Sequence, residues 1–128
     1  MKKLLLDTSV IIDFLRRKDK KESLLKKMSK HDLYISIVTH TELYSGKSVW
    51  ESKTAKQELK KLFSILTILP LITKISQNAG KIKAYNHDRT ILDCIIAATS
   101  IIHKLSLVTL NIKDFEKIKN IKLYKKVT

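Results

Sequence analysis

The sequence is poor in the residues that break regular structure or form disulfides. Its 128 residues include two glycines, one proline and one cysteine. So few Gly and Pro residues favour a helix-rich fold with short connections. Because Cys94 has no second cysteine in the chain, an intrachain disulfide is excluded.

Long apolar runs are missing as well. No segment approaches the ~18 uncharged residues that are needed to cross a bilayer. The apolar run at the amino terminus is interrupted by Asp7 and has no small-residue cleavage pattern, so a signal peptide is not expected. We therefore expect a soluble, cytoplasmic protein that has no membrane partner.

Acidic residues are scarce, with 12 Asp and Glu against 26 Lys and Arg and a net charge of +14. An excess of positive charge indicates a polyanionic partner such as nucleic acid. A lysine-rich composition suited to a hot habitat is the alternative explanation. The length fits a single domain over residues 1–128, and an apolar fraction of 44% argues against disorder.

Short apolar segments alternate with helical patterns along the chain. The strands are expected at 3–6, 33–37, 67–72 and 105–109, with a last one near Leu123. Thr8 or Ser9 is expected to cap a first helix. Further helices are expected over 20–30, a short stretch up to Gly46, 48–66, 73–85, 91–104 and a short segment around Phe115. This alternation predicts an α/β fold with three α/β/α layers around a mostly parallel, short-stranded sheet.

Four carboxylates stand where an apolar segment meets a turn, namely Asp7, Glu42, Asp93 and Asp114. Because ligands bind beyond the carboxyl ends of parallel strands, Asp7 and Asp114, which follow strands, are expected at the same edge of the sheet. Convergent carboxylates bind hard divalent cations, which activate water and neutralise phosphate charge. Asp7 is the first candidate for a metal ligand because a strand end is a rigid mount.

Each of these acids also has an ordinary structural explanation. Asp7 can cap the first helix, and Asp93 can interact with the positive amino end of the helix that it opens. Glu42 can be a solvated helix residue, and Asp114 can pair with a neighbouring lysine. The joint placement of the four residues favours a functional site.

Four segments in order, LLLDTSVIIDFL, ISIVTHTELYSG, LDCIIAATS and LVTLNIKDFEKI, resemble the successive motifs of a PIN domain. The resemblance runs from Leu4 to about Leu123 and is closest to VapC-type toxins of toxin–antitoxin pairs. It implies a PIN-like fold and a ribonuclease that depends on Mg²⁺ or Mn²⁺. In that activity the acidic quartet is both catalytic and metal-binding: Asp7, Glu42, Asp93 and Asp114.

The resemblance also implies partners and further site residues. It implies a homodimer, an RNA substrate such as tRNA or rRNA, and a VapB-like antitoxin that covers the acidic pocket. Thr8 and Thr109 match small hydroxyl residues beside the site, and Asn111 matches a polar position near the fourth acid. Asp114 is expected to be the auxiliary member of the quartet, because the fourth acid varies more than the others.

The dense basic run that Arg16 and Arg17 open is either a solvated surface or a patch that contacts the phosphates of the substrate. Asp13 is expected to form a surface pair with Arg17, four residues on. Cys94 is expected to be a small buried residue. Trp50, with the apolar face of residues 59–66, is expected either in the core or on a dimer or antitoxin surface.

Two other functions are compatible with the sequence. One is a non-catalytic nucleic-acid-binding module whose acids only cap helices and pair with lysines. The other is a PIN nuclease of RNA maturation. Metal-dependent cleavage of RNA would distinguish a toxin from the non-catalytic binding module. A small antitoxin-like reading frame upstream would distinguish a toxin from the maturation nuclease.

Overall fold

The computed structural model describes residues 1–125. Within this part of the chain, four short strands form one sheet: β1 (Lys3–Leu6), β2 (Asp32–Ser36), β3 (Thr67–Leu69) and β4 (Ser106–Val108). Their order across the sheet is β3-β2-β1-β4, and each neighbouring pair is parallel. The predicted parallel, short-stranded sheet is therefore confirmed.

Helices fill the connections between the strands. They are α1 (Thr8–Arg16), α2 (Leu24–Lys27), α3 (Ile37–Tyr44), α4 (Lys47–Glu51), α5 (Lys53–Phe63), α6 (Thr73–Tyr85) and α7 (Ile91–Ile102), with 3₁₀ turns at Lys20–Glu22 and Ile112–Asp114. Between residues 1 and 125, no helix is both long enough and apolar enough to span a membrane.

The sheet separates two apolar cores, because alternate side chains of a strand point to opposite faces. On β1, Leu4 and Leu6 pack against one side, which also holds buried side chains of α1, α2 and α5. Leu5 points the other way, among buried residues of α6 and α7. The result is the three-layer α/β/α arrangement that the sequence predicted.

Two of the predicted helices are interrupted by serine caps. The pattern over 48–66 is broken at Ser52, whose extended backbone ends α4 and whose hydroxyl accepts a hydrogen bond from the Ala55 N–H at 3.2 Å. The pattern over 20–30 is broken at Ser23 in the same way, by a bond from the Lys26 N–H at 3.2 Å. The predictions of two continuous helices were wrong, because apolar spacing continues across a cap that redirects the backbone.

The end of the described chain is less regular than expected. Phe115 lies just after the 3₁₀ turn Ile112–Asp114 and is 1% exposed, so it anchors the turn in the core. Near Leu123 the chain forms an isolated parallel bridge with Leu107 in place of the predicted strand. Trp50 is 63% exposed, so the core alternative was wrong for this residue, whereas Cys94 is buried as predicted.

Candidate active site

The site lies beside the switch point of the sheet, where the order of the strands reverses. The chain passes from β1 to β2 on one side, and β4 later joins β1 on the other side. Such a switch point leaves a crevice beyond the carboxyl ends of the two strands that flank it, here β1 and β4, where ligands of parallel α/β proteins bind. Asp7 follows β1 directly, and Thr109 follows β4 directly.

Asp7 is 4% exposed, and two hydroxyl groups hold its carboxylate. The Ser9 Oγ donates to Asp7 Oδ2 at 2.7 Å, and the Thr109 Oγ1 donates to the same oxygen at 2.8 Å. Asp7 occupies the position before α1, but its side chain makes no capping hydrogen bond to that helix. Helix capping therefore does not explain this carboxylate.

The two hydroxyl groups in turn bind the loop that follows β4. The Leu110 N–H donates to Ser9 Oγ at 3.1 Å, and the Asn111 N–H donates to Thr109 Oγ1 at 2.9 Å. Each hydroxyl thus accepts from the backbone and donates to Asp7, which fixes its hydrogen toward the carboxylate. The network therefore orients Asp7 through residues that follow β1 and β4.

Glu42 is half-buried on α3 and is held by the threonine that follows Asp7. The Thr8 Oγ1 donates to Glu42 Oε1 at 2.7 Å, and it lies 3.0 Å from the hydroxyl of Thr39. Thr39 is one helical turn before Glu42 and fully buried. Glu42 is therefore a fixed member of the site and not a solvated helix residue.

Asp93 lies in the first turn of α7, where the Thr90 side chain caps the helix by accepting from the Asp93 N–H at 3.1 Å. Its pKa is raised above the usual value, first by burial and then by the charges of Asp7 and Asp114, with a smaller effect from Glu42. Like charges raise a pKa only when they lie close to the group. The four predicted acids therefore form one electrostatic cluster.

Asp114 ends the 3₁₀ turn after β4, and its partner is Arg89. The Arg89 Nη1 donates to Asp114 Oδ1 at 3.1 Å and to the carbonyl of Lys113 at 3.3 Å. The alternative explanation of Asp114, a pair with a neighbouring lysine, is thus wrong, because its basic partner lies 25 residues away in sequence. The reason is the α6–α7 connection, which passes beside this turn.

The four acids offer oxygen donors to a metal ion but do not form a closed cage. Within residues 1–125, no three His, Cys, Asp or Glu side chains are placed so that they could enclose an ion by themselves. Mg²⁺ usually takes one or two carboxylates and keeps several waters, so it does not need such a cage. The donors are oxygens, and the repulsion that raises the pKa of Asp93 is what a divalent cation relieves. The residues therefore fit a hydrated, hard cation.

The remaining predicted residues lie around this cluster. Asn111 is exposed in the loop after β4. Arg16 is exposed at the end of α1 and lines a cavity of about 600 Å³ together with Glu42. Arg17 forms the predicted surface pair with Asp13 at 2.9 Å, so its guanidinium is already partnered.

Three residues of the site were not predicted for these roles. Ser9 and Thr39 hold the acids or their partners through hydroxyl groups, and Arg89 binds Asp114. The Asp-Thr-Ser order at residues 7–9 was the available signal for Ser9, because a hydroxyl two positions after an aspartate can bond back to it. No local pattern indicates Thr39 or Arg89.

These features define an α/β/α protein with a carboxylate-lined site of the kind that binds hard divalent cations. The PIN domain family matches residues 4–121. The chain belongs to the PIN domain family.

Individual proteins agree with this assignment. The chain is 33% identical to Ribonuclease VapC1 of Rickettsia felis, over 94% of this chain and 93% of that protein. Its fold is similar to a DNA-bound VapBC structure from Salmonella typhimurium, with a TM-score of 0.77, 26% identity and coverage of 97% and 98% of the two chains. A DNA-bound VapBC2 structure from Rickettsia felis shares the fold at a TM-score of 0.76 and 24% identity, with 98% and 99% covered.

Proposed function

We propose that this chain is a metal-dependent endoribonuclease that acts as a VapC-type toxin and is neutralised by a cognate antitoxin. One observation carries the proposal, the electrostatic cluster of four acids in a chain of net charge +14. A concentrated negative site on a basic protein suits a cation that faces a phosphate. The name of the Rickettsia felis relative supports RNA as the substrate, and the VapBC structure from Salmonella typhimurium supports a VapB-like partner.

Asp7, Glu42 and Asp93 are the proposed principal metal ligands and catalytic acids, with Asp114 as the auxiliary member. When bound, Mg²⁺ or Mn²⁺ supplies activation of the attacking water and neutralisation of charge at the phosphorus. Asp7 suits this role best, because its buried carboxylate keeps one orientation through two hydroxyl donors. Ligands held in place in this way need little reorganisation during the reaction.

The hydroxyl and basic residues have separate roles in this proposal. Thr8 and Thr109 border the substrate and act mainly by orienting Glu42 and Asp7, since their hydroxyls are already bonded to those carboxylates. Asn111 and Arg16, which are exposed beside the cluster, contact the RNA. Arg17 contributes to the basic surface while it remains paired with Asp13. As the resemblance implies, the substrate is a structured RNA such as tRNA or rRNA, and the active form is a homodimer.

The decisive experiment compares Asp7→Asn with Asp13→Asn. Both variants exchange one aspartate for asparagine, but Asp13 pairs with an exposed arginine outside the acidic cluster. With Mn²⁺, we expect Asp7→Asn to lose at least about a hundredfold in RNA cleavage, since even residues that only orient ligands cost 10- to 100-fold. Asp13→Asn should retain activity, and excess EDTA should stop cleavage by the unchanged protein.

The toxin role is tested in cells with the same pair of variants. Expression of the unchanged protein or Asp13→Asn should arrest growth, and co-expression of an antitoxin from a neighbouring reading frame should restore it. Asp7→Asn should not arrest growth, and circular dichroism should show that this variant is folded. Cleavage that persists in EDTA, or an Asp7→Asn protein of full activity, would contradict the proposal.

A further inference from the structure

Arg89 is placed so that it acts on the acidic cluster through one of its members. Its guanidinium bonds Asp114 Oδ1 at 3.1 Å and also donates to the carbonyl of Lys113. Arg89 and Asp114 line a cavity of about 520 Å³ between the α6–α7 connection and the 3₁₀ turn that ends at Asp114. Arg89 is thus a cation that is bonded directly to the fourth carboxylate.

The segment that carries Arg89 is held in place from several sides. The Lys83 Nζ donates to the carbonyl of His87 at 2.7 Å and to the carbonyl of Arg89 itself. The Arg89 N–H donates to the carbonyl of Asn86 at 3.0 Å, and the next residue, Thr90, caps α7. The guanidinium therefore extends from a fixed backbone, which reduces the entropic cost of its contact with Asp114.

The ion pair competes with any cation that would use the same carboxylate. Asp114 lies close enough to Asp93 to raise its pKa, so its carboxylate belongs to the cluster. One of its oxygens is nevertheless bonded to the guanidinium of Arg89. A divalent ion that engages this oxygen has to share it with the guanidinium or displace Arg89.

We propose that Arg89 is a positioning residue that restrains Asp114 and thereby lowers the affinity of the acidic cluster for a divalent ion. The proposal rests on the metal site proposed above. It gives a physical reason for Asp114 to be the auxiliary member, since Asp114 alone of the four carboxylates is paired with a basic side chain among residues 1–125. Loss of the arginine releases Asp114 as an additional ligand for the divalent ion. It also removes one positive charge from beside the acidic cluster.

The test is a double-mutant cycle read out by Mn²⁺ binding in the absence of RNA. Dissociation constants are measured by electron paramagnetic resonance of free Mn²⁺ for the unchanged protein, Arg89→Gln, Asp114→Asn and the double variant. Lys113→Gln is the matched control, because it also removes one positive charge beside Asp114. The Lys113 side chain, unlike that of Arg89, is not bonded to Asp114 in the described structure. Circular dichroism establishes that each variant is folded.

We expect Arg89→Gln to bind Mn²⁺ roughly three- to tenfold more tightly, as removal of a nearby cation and release of a ligand both favour the ion. In the Asp114→Asn background, the same change should improve affinity by a factor at least about three times smaller. Lys113→Gln should change affinity less than twofold.

Three results would overturn the inference. Equal factors in the two backgrounds would mean that Arg89 acts only as a distant charge, and an unchanged dissociation constant with a lowered Tm would mean a merely structural role. If the unchanged protein does not bind Mn²⁺, the metal site itself fails. The last result is distinguishable from the other two, because in those the unchanged protein binds the ion.

Discussion

Replacement of the Thr109 hydroxyl tests most directly how the Asp7 carboxylate is held in the site. Thr109→Val keeps the volume of the side chain and removes the donor that reaches Asp7 Oδ2 at 2.8 Å. Both residues are buried, at 8% and 4% exposure, so water does not readily replace the lost bond. A hydrogen bond to a charged group contributes about 1.5–3 kcal/mol. Because Ser9 still donates to the same oxygen, we expect a loss of about 1.5–2 kcal/mol in the free energy of unfolding.

This loss converts into a measurable shift in the thermal midpoint. At roughly 2.1 cal/mol/K per residue, unfolding of 128 residues has an entropy of roughly 0.27 kcal/mol/K, so Tm should fall by about 6–7 °C. The assay is urea denaturation and thermal unfolding at pH 7 in EDTA, followed by circular dichroism. Thr109→Ser, which keeps the donor, is the matched control and should lose clearly less.

Repeating the substitution in an Asp7→Asn background isolates the charged bond. There the acceptor is a neutral amide, so the cost of Thr109→Val should fall to about 1 kcal/mol or less. A loss below about 0.5 kcal/mol in the unchanged background would refute the claim that this hydroxyl stabilises a buried carboxylate. Equal losses in the two backgrounds would refute it as well.

Two further predictions concern the cluster and its anchor. The pKa of Asp93 is raised in the folded state, so the folded state binds this proton more tightly than the unfolded state does. The contribution of Asp93 to stability is therefore present at low pH, and it is lost as pH rises from the unfolded pKa through the folded pKa. Asp93→Asn should therefore be more stable than the unchanged protein at pH 7 in EDTA, and this gain should shrink toward pH 3; urea titrations that show no such gain would contradict the electrostatic account. Phe115→Ala should lose about 3–5 kcal/mol in unfolding free energy, since it empties a fully buried site beside Asp114, whereas Phe115→Leu should lose markedly less. A loss below about 1 kcal/mol would mean that Phe115 does not anchor the turn.

Much of the fold followed from local pattern. α6 agrees with its prediction at both ends, and the strand at residues 3–6 agrees with its prediction to within one residue. These elements have strong apolar periodicity and clear ends. The prediction that Thr8 or Ser9 caps the first helix was wrong, because Asp7 occupies the capping position and α1 begins at Thr8. The broken helices at Ser23 and Ser52 were missed, because periodicity records which face is buried and not where the backbone turns.

The acidic cluster was predicted in outline and not in detail. The charges of Asp7, Glu42 and Asp114 do act on Asp93, as the positions of the four acids beside strand ends and helix starts suggested. Their catalytic and metal-binding roles stay predictions. The pairing of Asp114 with Arg89 was not predicted, because a contact across 25 residues leaves no local signal.

The sequence by itself determined the alternation of strands and helices, the excess of positive charge and the places where acids follow apolar segments. Those properties are local, since they depend on side-chain periodicity, composition and capping. Only the tertiary structure decided which hydroxyl meets which carboxylate. Thr109 reaches Asp7 across 102 residues, and Arg89 reaches Asp114 across a helix. Such contacts exist because parallel strands connected by helices bring distant strand ends to one edge.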